Sequence, residues 1–115
     1  MAKASYIPNR GDIIWIDFDP TRGSEQAGTR PALVMTAESY NTRVGVVMVC
    51  PITNRTKGYP TEVALPEGLQ VTGFVLANQM RPLDIRARPA TYADSVDESI
   101  VEEVRELVVA LITDD

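Results

Sequence analysis

The 115-residue chain contains no histidine, and that absence removes more chemistry than any one residue present supplies. Without imidazole there is no paired-histidine acid/base catalysis, no Ser–His–Asp hydrolysis and no His-rich metal site. A single cysteine, Cys50, cannot close an internal disulfide, and with no histidine to join it a structural zinc site is excluded too. Cys50 falls inside the apolar run 44–50, where a buried, inert thiol is expected. Long hydrophobic runs are missing as well. The apolar stretches are strand-sized, far short of the about 20 residues that cross a bilayer, and residues 1–5 lack the apolar core of a secretory signal. The expected location is cytoplasmic, with no membrane partner and no cofactor.

What remains is enough for one core. A chain of this length with 44% hydrophobic residues reads as a single domain over residues 1–115. Its net charge of −5 argues at first against a nucleic-acid partner. The distribution reverses that. Residues 94–115 hold eight carboxylates against Arg105 alone, a balance of −7, and the other 93 residues carry ten basic and eight acidic side chains, a balance of +2. Arg22, Arg30, Arg55, Lys57, Arg81, Arg86 and Arg88 supply most of that excess, so a locally basic cleft can exist on an acidic molecule.

Residues 12–18 alternate imperfectly between two apolar sets, which predicts a strand buried on both faces. Strands are also predicted at 31–36 and at 44–52, the most β-branched run. Shorter strands are expected at 61–65 and 73–77, joined by a Pro66-Glu67-Gly68 turn, and a weaker one within 85–91; residues 39–43 read as a turn. The period then changes. Val96, Ile100, Val101, Val104, Leu107, Val108 and Leu111 recur at three- and four-residue steps, predicting an amphipathic helix over 96–112 with a Ser95/Glu98 capping box. Several short strands followed by one helix make a β-rich α+β fold.

Three segments stand out in order. They are Gly-Asp-Ile-Ile-Trp-Ile-Asp-Phe-Asp-Pro-Thr-Arg-Gly-Ser-Glu-Gln-Ala-Gly-Thr-Arg-Pro at 11–31, Pro-Ile-Thr-Asn-Arg-Thr-Lys-Gly-Tyr-Pro at 51–60, and Ala-Asn-Gln-Met-Arg at 77–81 followed by Arg86. Together they resemble the MazF/PemK family of toxin endoribonucleases, over roughly residues 6 to 112. The resemblance implies a small SH3-like curled β-barrel with a C-terminal helix, and a homodimer that binds single-stranded RNA across a groove. It also implies a MazE-like antitoxin whose acidic, disordered tail competes with RNA. The implied activity is that of a toxin which cuts mRNA without a metal, leaving a 2′,3′-cyclic phosphate and a 5′-hydroxyl.

A histidine-free chain can manage this reaction, because RNA brings its own nucleophile in the 2′-hydroxyl. The protein must align that oxygen and stabilise charge on the phosphorane-like transition state. The resemblance puts catalysis on Arg30, whose planar fork can hold two phosphate oxygens, and on Thr53, whose hydroxyl can donate to the same phosphate. Arginine is a poor base, so Glu25 in the same loop is the candidate proton acceptor. The candidate RNA-binding residues are Phe18 for stacking, Arg55, Lys57 and Arg86 for phosphates, and the Asn78 and Gln79 amides for base edges. Position 78 is often acidic in the family, and Thr29 stands where some members have histidine, which leaves the recognised base sequence open. Two other classes compete: a CcdB-like toxin of the same fold that poisons a protein such as DNA gyrase without catalysis, and a non-toxic SH3-like adaptor.

Overall fold

The computed structural model describes residues 6–18 and 29–113. Its centre is three antiparallel neighbours, β1 (Asp12–Asp17), β2 (Thr29–Val34) and β3 (Val46–Thr53). Their side chains feed two separate cores. Ile13, Leu33, Cys50 and Ile52 belong to one, and Ile14, Ile16, Ala32, Val34, Val47 and Val49 to the other. With little of either face left to water, strict polar/apolar alternation is lost, as β1 shows.

The far edge of β3 is shared. β5 (Phe74–Leu76) pairs with Ile52 and Thr53, β6 (Arg81–Asp84) pairs with residues 46–49, and a 3₁₀ turn, Ala77–Gln79, joins the two. β4 (Glu62–Ala64) extends the sheet beyond β5, and β7 (Thr91–Ser95) extends it beyond β1. The order is β4-β5-β3-β2-β1-β7, with β6 off this path. The expected β-rich α+β architecture with a C-terminal helix is present; all its strand pairs are antiparallel, and the curled sheet stays open instead of closing into a full barrel.

The turn expected at 39–43 is instead a helix, α1 (Glu38–Val44). It escaped notice because it has no apolar stripe: its one buried residue is Asn41. That side chain is fully buried with both N–H donors used, donating to the carbonyls of Pro8 at 2.8 Å and Thr36 at 3.0 Å and accepting the Thr36 hydroxyl at 2.6 Å. Residues 85–91 hold no strand across Ile85, Arg86, Ala87 and Arg88, which form a turn and bend. The Asp84 carboxylate causes this, accepting the N–H groups of Arg86 at 2.8 Å and Ala87 at 3.2 Å and so bending the chain back. Strands lie on either side as β6 and β7.

The C-terminal helix, α2 (Glu98–Thr113), buries Val101 and Val104, of which Val104 joins the first core, and packs Ile100, Leu107 and Val108 against that core. The predicted stripe ends there, since Leu111 is exposed. The cap also differs from expectation. Ser95 ends β7 and bonds the Tyr92 hydroxyl at 2.7 Å, while the Asp97 carboxylate accepts the Ser99 N–H at 3.0 Å and is the true N-cap. Hydrogen bonds from Ser99, the hydroxyl first and then the N–H, hold the Asp97 carboxyl below its ordinary range.

Candidate functional site

Pairing between β2 and β3 ends at Ala32 and Pro51. Carried on by two residues, the same register sets Arg30 opposite Thr53, on strands no longer bonded to each other. A cleft of about 410 Å³ opens there, lined by both residues together with Trp15, Pro31, Ile52 and Asn54. Its far wall is Gln70, Val71 and Thr72, from the loop between β4 and β5. Two cross-strand rows meet at this point: Ile16 pairs with Arg30, and Trp15 with Pro31. Arg30 and Thr53, 23 residues apart in sequence, therefore share one cavity.

Local backbone explains why the cavity holds its shape. Gly73 has φ of 132°, and a Cβ there would meet the Thr53 carbonyl oxygen at 2.5 Å, so glycine alone lets the β5 end approach the end of β3. The Thr72 hydroxyl then donates to the Asn54 side-chain carbonyl at 3.0 Å, bridging the two walls. Gln70 is tied down through its main chain, whose N–H donates to the Asp94 carboxylate of β7 at 2.9 Å. That bond, followed by the one from the Ser95 N–H, holds the Asp94 carboxyl below its ordinary range.

Arg30 is the one charged residue among the described residues lining the cleft. With no described carboxylate on the wall to neutralise it, the cavity presents a net positive group to an anion. The Thr53 Oγ1 accepts the Arg55 N–H at 3.1 Å, which occupies a lone pair and leaves the hydroxyl hydrogen to be donated into the cleft. A cation with a forked donor and a hydroxyl donor across a gap is an arrangement suited to a phosphate group.

Arg55 and Lys57 follow Thr53 on an exposed loop outside the cleft lining. This loop is organised around Glu62. The Glu62 carboxylate accepts the Thr56 hydroxyl and, at 3.0 Å, the Lys57 N–H, while the Gly58 N–H donates to the Thr56 hydroxyl at 3.0 Å. Those bonds, the Thr56 hydroxyl first, hold the Glu62 carboxyl below its ordinary range.

The other candidates are dispersed. Phe18 is half-buried against the second core, with the Arg81 guanidinium 5.3 Å from its ring centroid. Asn78 and Gln79 lie exposed on the 3₁₀ turn, next to α2 and β3. Arg86 lines a second, larger cleft with Tyr6, Asn41 and Gly45. Its guanidinium lies directly over Gly45, whose φ of 79° ends α1. Glu25 falls outside the described residues. Cys50 is fully buried, and burial pushes its thiol up to about 12. In the N-terminal segment, burial first and then the Asp12 carboxylate hold the Tyr6 phenol well above its ordinary value.

Sequence reasoning missed three lining residues. Trp15 sits in an apolar strand, where nothing local marks it out, yet it is 37% exposed where its neighbours Ile14 and Ile16 are fully buried. Gln70 and Thr72 belong to no motif, and only the fold brings them to Arg30. Among the described residues no group of three or more carboxylates or cysteines is placed to hold a metal ion.

Comparison with known proteins gives this geometry its family. Residues 9–112 match the model of the PemK-like, MazF-like toxins of type II toxin–antitoxin systems. The chain is 43% identical over 107 residues to the endoribonuclease toxin MazF of Escherichia coli K12, covering 93% of this chain and 96% of that protein. The crystal structure of MazF from Deinococcus radiodurans superposes with a TM-score of 0.85 at 42% identity, covering 94% of this chain and 98% of the other. A crystal structure of MazE–MazF from the same organism gives 0.84 at 38% identity, with 95% and 98% covered. The chain belongs to the PemK-like, MazF-like toxin family of type II toxin–antitoxin systems.

Proposed function

We propose that this protein is the toxin of a type II toxin–antitoxin pair, an endoribonuclease that cuts single-stranded mRNA at chosen sites without a metal ion. The observation that carries the reading is the shared cleft of Arg30 and Thr53, in a chain 43% identical to the Escherichia coli endoribonuclease toxin MazF. In the proposed reaction the RNA 2′-oxygen attacks the adjacent phosphorus and the P–O5′ bond breaks. The 2′-hydroxyl gives up its proton, and the departing 5′-oxygen takes one up. The products are a 2′,3′-cyclic phosphate and a 5′-hydroxyl. Arg30 holds two non-bridging oxygens, and the Thr53 hydroxyl donates to the same group as charge builds on it. Glu25 remains the candidate base. General acid/base help is typically worth about 10² to 10⁴ in rate, so positioning and charge stabilisation can support slow, selective cleavage.

The partner is a MazE-like antitoxin, by analogy with the Deinococcus radiodurans protein, whose structure was solved as MazE–MazF. The active form is a homodimer acting in the cytoplasm; no helix among the described residues is long and apolar enough to cross a membrane. The test is incubation of the purified protein with a long defined RNA in excess EDTA, followed by mapping of both ends at each cut. Cyclic phosphate and 5′-hydroxyl ends at a recurring short sequence are expected. Intact RNA beside a growth arrest that depends on gyrase would replace this reading with target poisoning.

A further inference from the structure

We infer that the cleft wall formed by Trp15, Asn54 and Gln70 holds one unpaired nucleobase of the RNA beside the phosphate engaged by Arg30 and Thr53. This rests on the endoribonuclease reading and names the part of the site that selects sequence. A nucleotide cut through its own 2′-hydroxyl leaves the helical stack, and its base then needs a surface to cover its faces and groups to bond its edge.

Trp15 provides the surface. It is the one aromatic residue among the described residues lining the cleft, which it shares with Ile52 and Val71, each only 5% exposed. An indole left 37% exposed at the rim of an otherwise closed apolar floor is a platform with no cover. Asn54 and Gln70 provide the edge contacts. The Asn54 carbonyl oxygen is engaged by the Thr72 hydroxyl at 3.0 Å, which orients the amide and leaves its Nδ2 to donate. The Gln70 side chain makes no hydrogen bond among the described residues, although its own N–H is anchored on Asp94 at 2.9 Å. Its amide thus offers a donor and an acceptor from a fixed point of backbone. Stacking tolerates every base, so discrimination falls to these two amides.

Trp15 is the only tryptophan in the chain, so its emission reports on this wall alone. The experiment titrates the whole protein with an RNA oligonucleotide carrying the mapped cleavage site, made uncleavable by 2′-deoxy substitution. Tryptophan emission is recorded alongside the anisotropy of an end label. Both signals should move with one midpoint, Trp15→Ala should weaken binding about tenfold, and Trp15→Phe should recover most of the loss. On cleavable RNA, Asn54→Ala and Gln70→Ala should each bring the rates at sites differing in one base together, by about fivefold or more. Saturated anisotropy with unchanged tryptophan emission, or unaltered base preference in both amide variants, overturns the subsite while leaving the nuclease intact. A wild-type protein that neither binds nor cuts RNA overturns the nuclease reading and the subsite with it.

Discussion

The Glu62 carboxylate accepts the Lys57 main-chain N–H at 3.0 Å, fixing the loop after Thr53 by its backbone while the Lys57 ammonium makes no ion pair among the described residues. Together with the Thr56 hydroxyl, this contact closes residues 56–62 on themselves. The loop's cations are thereby carried on an ordered frame instead of a freely moving one.

Replacing Glu62 with Ala should therefore speed hydrogen exchange at the Lys57 and Gly58 amides by about tenfold or more, with little change in the melting temperature. The pH dependence has a definite sign. A carboxyl held low in the folded state contributes order that is fully present above the ordinary value of about 4.3 and is lost as pH falls through the lowered one. The Lys57 amide resonance should be constant from neutral pH down to about 4.3 and shift only below it. A transition centred near neutrality would show that a different group controls the loop.

Arg30→Ala and Thr53→Ala should each lower single-turnover cleavage by at least about a hundredfold, with a smaller effect on RNA binding, because both groups are assigned to the transition state. Wild-type rates in either folded variant would mean that the cleft is not the catalytic centre. Glu25→Gln examines the base separately. An unchanged rate and pH profile would remove Glu25 from the mechanism and leave Arg30 and Thr53 untouched.

Asn41→Ala should cost about 1–3 kcal/mol of stability, since it leaves the Pro8 carbonyl without its buried donor and takes the acceptor from the part-buried Thr36 hydroxyl. The denaturant midpoint should fall with an unchanged slope. A loss below about 0.5 kcal/mol would mean that water replaces the amide.

The particular successes and failures of sequence reading share one cause. α2 was legible because Val101, Val104 and Val108 repeat at helical spacing over several turns, a signal that needs no partner to interpret. α1 was not, because seven residues around a single buried polar side chain carry no period at all. β6 was hidden by Pro82 and by having one buried residue, Leu83; pairing along one side, to β3, lets it tolerate both. The same logic governs the site. Arg30 and Thr53 were found through motif resemblance, and their juxtaposition follows from β2–β3 register, which no local pattern reveals. Trp15 from β1 and Gln70 from a loop anchored on Asp94 meet at the cleft only in three dimensions, so their place there belongs to the fold alone.

Charge distribution gives the last prediction. Lys57 lies on the exposed loop that follows Thr53 and Arg86 lines the second cleft, whereas Glu102, Glu103 and Glu106 are exposed on α2, where Glu102 is paired with Arg105. If RNA runs past both cations, Lys57→Ala and Arg86→Ala should each weaken binding and reduce the slope of log affinity against log salt by about 0.7, one single-strand phosphate contact apiece. Neutralising Glu102, Glu103 and Glu106 together should leave that slope nearly unchanged. An unchanged slope in Arg86→Ala alone would confine the RNA path to the side of Arg30 and Thr53. The same cations should hold an acidic antitoxin tail, so a peptide of that composition should displace labelled RNA competitively, and more weakly from Lys57→Ala. Simultaneous binding of peptide and RNA at full affinity would show that inhibition acts at a distance and that the basic track does not serve both ligands.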